Sequence, residues 1–164
     1  MNGVAVTPKK LKIIMQDEAL CEEMVAHPDH DVRIVMAKSP HTPEKYLVRL
    51  AKDRSAYVAC CAIKNKSATT AVFDALIFES GHSRSFSWFE CLISKHPKAS
   101  ADVLRWLAEN ATLRTRKRVA LRIDTPVDVL EMLLLVPSVC VRRSAQSTLD
   151  YLKEIQQTGE QNAH

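Results

Sequence analysis

The side chains of this chain best placed to do chemistry are cations. Lys38, Lys64 and Lys95 recur at one register position, spaced by 26 and then 31 residues, with Lys98, Lys117 and Arg143 flanking them. Flexible ammonium groups at such spacing can follow an anionic polymer, since phosphates on one duplex strand recur about every 3.4 Å of axis. They serve equally as a solvated face. Arg33, Arg116 and Arg142 share a second position, where Ala59 and Glu90 stand in the copies between. A guanidinium there could fork onto phosphate or carboxylate. A third group, His82, Arg84 and Trp88, lies in or beside the Ser80–Phe86 stretch, where the spacing is broken by five extra residues. Insertions into repeat proteins map to loops on one face, where binding specificity often resides, and Trp88 is a candidate aromatic anchor. The plainer alternative is a tolerated loop expansion, which costs little closure entropy.

Catalytic templates are missing. There is no glycine-rich phosphate loop, nucleophile elbow or dense carboxylate cluster, so the sequence predicts a protein without catalytic activity. Cys21 stands alone, and Cys60, Cys61 and Cys91 have no C-x-x-C spacing. The histidines lack metal-ligand spacing, so no cofactor or metal is expected. His27 and His96 stand next to prolines, which suggests capping of helix ends instead. The odd cysteine count of 5 fits a reducing compartment. The opening MNGVAVTPKKLK has no apolar stretch of a signal peptide, and no run of about 18 apolar residues follows, so the expectation is a cytosolic chain without a membrane span. A net charge of +4 permits nucleic-acid binding without requiring it. The charge is uneven, with Asp17, Glu18, Glu22 and Glu23 near one end and Arg114, Arg116, Lys117, Arg118 and Arg122 towards the other.

The elements that must hold these groups are legible as a repeat. Met24, Leu50, Leu76, Leu107 and Leu133 form one column with a step of 26 residues, broken by one step of 31. Cys21, Leu47, Phe73, Leu104 and Leu130 form a second, and Leu20, Tyr46, Val72, Val103 and Val129 a third. Such a period marks stacked units that each bury a face against the next. Within the second copy, Thr42 reads as an N-cap with Pro43 in the first helical position, and Tyr46, Leu47, Leu50 and Ala51 follow helical spacing. A shorter second helix runs from near Tyr57 to near Asn65 and buries Val58, Cys61 and Ala62. Val32, Val58, Phe89, Thr115 and Val141 hold one core position of the second helices, and Met36, Ala62, Ile93, Val119 and Ala145 another. The fold class expected is all-α, an α–α superhelix of about five helix pairs. The copies lie near 17–42, 43–68, 69–99, 100–125 and 126–157 of a single domain over 1–157. Ser147 to Gln156 reads as a closing helix and 158–164 as a frayed tail.

The strings Asp31-Val32-Arg33-x-x-x-Ala37-x-x-Pro40-x-Thr42-Pro43 and Leu47-x-x-Leu50-Ala51-x-Asp53 resemble the leucine-rich repeat variant, a short helical repeat akin to HEAT repeats. The similarity spans roughly Gln16 to Tyr151. It implies a right-handed superhelix with the second helices lining one face, and an Arg at the position of Arg33 that ties down loop carbonyls or an aspartate. A member of that family carries an iron–sulfur cluster on N-terminal cysteines, which nothing here matches. The wider HEAT-like class includes alkylpurine DNA glycosylases. The function expected is therefore a scaffold binding a protein or peptide on its second helices, with nucleic acid as the alternative ligand.

Overall fold

The apolar columns become buried helix faces. The structure, a computed structural model, describes Ile13 and residues 16–79 and 87–161, and among these every regular element is helical. The chain divides into two compact units, Met1–Arg84 and Ser85–His164, with the boundary inside the segment that carries the five extra residues. His82 and Arg84 lie outside the described residues, as does the side chain of Trp88.

The first unit contains α1 (Glu18–Ala26), α2 (His30–Lys38), α3 (Glu44–Ala51), α4 (Ala56–Ile63) and α5 (Thr70–Asp74), which runs into one π-helical turn, Ala75–Glu79. First helices pack on first helices, α1 on α3 and α3 on α5, while α2 packs on α4. The second unit contains α6 (Ser87–Ile93), α7 (Ala101–Asn110), α8 (Leu113–Ala120), α9 (Val127–Leu134) and α10 (Val139–Gln161). Here α7 packs on α9, and α8 packs on both α6 and α10.

Cys21, Leu47, Phe73, Leu104 and Leu130 are each 1% exposed or less, as are Met36, Ala62, Ile93, Val119 and Ala145. Each buried leucine of this kind contributes about 1.5–3 kcal/mol through removal from water. The exceptions are at the first copy, where Leu20 is 42% exposed and Met24 is half-buried.

Three local expectations are corrected. Thr42 does not cap α3: Pro43 occupies the cap position, and the buried Thr42 hydroxyl donates to the Met36 carbonyl at 2.6 Å. Thr125 does the same to Val119 at 2.7 Å ahead of α9. Each hydroxyl thus adds a second bond to a carbonyl near the end of the preceding helix, which also accepts a backbone N–H there. There is no separate closing helix, because Val139–Gln161 is one helix of 23 residues. No Pro or Gly interrupts it before Gly159, and Thr148 bridges back to the Ser144 carbonyl at 3.1 Å. Consequently the stretch expected to fray is helical as far as Gln161.

Candidate binding face of the second helices

The two sets of cations have different fates. Arg33 is buried with every donor group engaged. Its Nε and Nη2 meet both carboxylate oxygens of Asp53 at 2.7 and 3.1 Å, and Nη1 donates to the carbonyls of His27 at 2.6 Å and Pro28 at 3.1 Å. Arg116 donates to the carbonyls of Ala111 and Glu109, and Arg142 to those of Val136 and Pro137. At all three positions the guanidinium closes the turn between a first and a second helix.

The lysines face solvent. In the first unit Lys38 and Lys64 are exposed at the ends of α2 and α4, and the Lys38 ammonium lies 5.3 Å from the ring centre of Tyr57 and 3.3 Å from its hydroxyl. In the second unit Lys95, Lys98, Lys117 and Arg143 are exposed, along with Arg114, which the sequence reading counted only in a general charge tilt. Among the described residues, Lys64, Lys95, Arg114, Lys117 and Arg143 make no side-chain hydrogen bond or ion pair.

First-helix faces are different. Lys45 pairs with Glu18 and Arg49 with Glu22 between α3 and α1, and Arg105 on α7 bridges Asp102 and Asp128. Positive guanidinium and ammonium groups hold the Glu18 and Asp128 carboxyls below their usual range. α4 and α8 carry no carboxylate at all, whereas α8 alone holds Arg114, Arg116, Lys117 and Arg118. On first helices Lys45, Arg49 and Arg105 are paired with carboxylates, whereas Lys64, Lys95, Arg114, Lys117 and Arg143, on or just past second helices, are left open.

A polar ladder between successive second helices is the feature that sequence reasoning missed. Asn65 donates to the carbonyls of Ala37 and Ser39 at 2.7 and 2.8 Å. Arg122 does so to Ser94 and His96 at 3.0 and 2.8 Å, and Thr148 to Ala120 at 2.7 Å. Asn65, His96, Arg122 and Thr148 share one register position, so a single place in the repeat supplies the donor that ties one helix end to the one before it. His96 contributes as an acceptor: its Nδ1 receives the Lys98 backbone N–H at 3.2 Å, as Asn65 Oδ1 receives that of Ser67 at 2.8 Å.

Burial pushes the His96 imidazole below its ordinary value, and the nearby Lys98 and Arg122 charges push the same way. As pH falls through about 6.5 the unfolded chain gains this proton before the folded chain does, so folded stability declines with acidification. His96→Asn keeps the acceptor and removes the titration. Melting at about pH 7.5 and about pH 5.5 should show a smaller acid-induced drop for H96N than for the unaltered chain.

Elsewhere in the second unit, Leu134, Arg142, Arg143, Gln146, Asp150 and Tyr151 line part of a shallow groove of about 770 Å³. Among the described residues no group of three or more His, Cys, Asp or Glu side chains is placed to hold a metal ion, and no helix is long and apolar enough to cross a membrane. None of the five cysteines forms a disulfide. No family model, curated protein or solved structure matches the chain.

Proposed function

We propose that the chain is a non-catalytic helical-repeat scaffold of the leucine-rich-repeat-variant and HEAT-like kind, its helix pairs recurring every 26 residues as an α–α superhelix. It binds a protein or peptide partner on the face of its second helices in the cytoplasm. The observation that carries this is the open positive charge there: exposed cations without partners at the end of α4 and on α8 and α10, against first-helix cations Lys45, Arg49 and Arg105 that are each paired with a carboxylate. An unpaired cation on a rigid helix costs no internal ion pair when a partner arrives, and complementary charge raises both on-rate and specificity.

Selection of a displayed random-peptide library against the intact protein tests this. Enriched peptides should bind the unaltered chain, lose affinity for Lys64→Glu or Lys117→Glu, and keep it for Glu131→Lys on the exposed face of α9. Equal loss with all three, or enrichment of nothing, would remove the second-helix face from consideration.

One observation favours nucleic acid instead. Tyr57 is 56% exposed and stands with Lys38 and Lys64 in the first unit, and an aromatic ring beside lysines can stack a base while the ammonium groups meet phosphate. Fluorescence anisotropy with labelled DNA and RNA discriminates: five phosphate contacts on a duplex give a log–log salt slope near about −4.5. Salt-steep binding of that kind would assign the lysines to phosphate.

A further inference from the structure

We infer that the face formed by α8 and α10 of the second unit is a docking surface for an acidic, leucine-containing peptide segment of another protein. This rests on the protein-partner function proposed above and names the partner's chemistry.

Leu113, Arg114, Lys117 and Arg118 of α8, with Leu121 just past its end, fall within about 140° of helical arc, at about 100° per residue; Arg118 is half-buried and donates to the Cys91 sulfur at 3.1 Å. Leu113 is 55% and Leu121 56% exposed, while the opposite side buries Thr115 and Val119. On α10, which packs beside α8, Val139 is 56% exposed and Arg143 is exposed. Val139 stands 26 residues after Leu113, and Arg143 the same distance after Lys117. Packed helices lie about 8–10 Å apart, so an apolar pair and a basic pair sit side by side across the two helices. Leu121 extends the pattern beyond the basic pair.

The combination points to a peptide rather than a polynucleotide. A sugar–phosphate backbone would engage only the cations here, whereas the exposed Leu113, Leu121 and Val139 interleaved with them match a segment that alternates carboxylates with apolar side chains. On α1, Glu18 and Glu22 are already paired with Lys45 and Arg49, which leaves Glu23 as its one open carboxylate and makes α1 of a second copy a poor candidate for the ligand.

The test uses the full chain and three fluorescein-labelled probes: a Glu-Glu-Leu repeat peptide, its Lys-Lys-Leu counterpart and an oligothymidine strand. The acidic peptide should bind the unaltered protein. Lys117→Glu combined with Arg143→Glu should weaken it about tenfold or more, and Leu113→Ser should weaken it as well. All three positions are exposed, and unchanged melting curves confirm that the variants fold. Binding of the oligothymidine in place of the acidic peptide overturns the inference in favour of nucleic acid. Acidic-peptide binding unaffected by the double reversal, or binding by neither probe, also overturns it. So does concentration-dependent self-association in sedimentation that the double reversal abolishes, since it would make a second copy the occupant. Peptides of other composition from the library selection, lost on Lys64→Glu, would leave the broader function standing while this inference fails.

Discussion

Leu107→Ala should lower the free energy of unfolding by about 2–5 kcal/mol, a large share of the roughly 5–15 kcal/mol that holds an ordinary domain together. Leu107 is fully buried on α7, within a helix pair closed by α8 and backed by α9. Truncation removes three carbons, a methine and two methyls, from a packed site, and the cost includes the cavity left because rigid helices collapse only partly. Trp106, its neighbour on the same helix, makes intrinsic fluorescence a local reporter of the transition. The informative control is Met24→Ala at the equivalent place in the first copy. Met24 is only half-buried, so the loss there should be clearly smaller. Equal losses at the two positions, or a melting transition unmoved by L107A, would mean that the register placing them in one column is wrong.

That register was open to sequence reasoning for a definite physical reason. An apolar residue that must meet the same neighbour in every copy leaves a column of like residues, and Leu47, Phe73, Leu104 and Leu130 are such a column. The helix starts at 18, 44, 70, 101 and 127 follow from it directly. What stayed hidden were positions where geometry is repeated but chemistry is not. Asn65, Arg122 and Thr148 do one job, donating to carbonyls of the preceding second helix, with an amide, a guanidinium and a hydroxyl. No column of identical letters announces this. The signal was present only as a polar residue recurring where an apolar face would be expected. The long α10 was hidden for another reason: a break was expected at the usual end of a second helix, yet nothing in Val139–Gly159 compels one.

The candidate face was partly legible. Lys64, Lys95 and Lys117 could be placed on or beside the second helices from spacing alone, but their lack of partners could not, because the pairs that satisfy Lys45, Arg49 and Arg105 join residues 23 to 27 positions apart. Arg33, Arg116 and Arg142 look like the lysines in sequence and differ only in what surrounds them. Carbonyls exposed by a tight turn within reach of the guanidinium divert it inward, whereas a lysine at a helix C-terminus extends into water.

Asp53→Ala should be among the most damaging single changes in the first unit, with about 3–5 kcal/mol lost, because it strands a buried charge. Arg33 is 4% and Asp53 8% exposed at the side chain, and the carboxylate answers two of the guanidinium's three donor nitrogens. Asp53 Oδ1 also accepts the Ser55 backbone N–H at 2.7 Å at the start of α4, so the same substitution frees a helix-end donor. Arg33→Met asks a different question. It leaves the His27 carbonyl without its donor while that of Pro28 keeps Arg54 at 3.0 Å, and it removes the counter-ion of Asp53, which still accepts from Ser55. If the ion pair is the coupled element, D53A should cost less in the R33M background than in the unaltered chain, a double-mutant cycle with coupling of about 0.5–3 kcal/mol. Hydrogen exchange of α2, α3 and α4 amides would locate the loss, with the amides of the turns that Arg33 closes opening first. Additive costs would show instead that Asp53 acts chiefly as the α4 cap, and that the carbonyl contacts alone hold Arg33 in place.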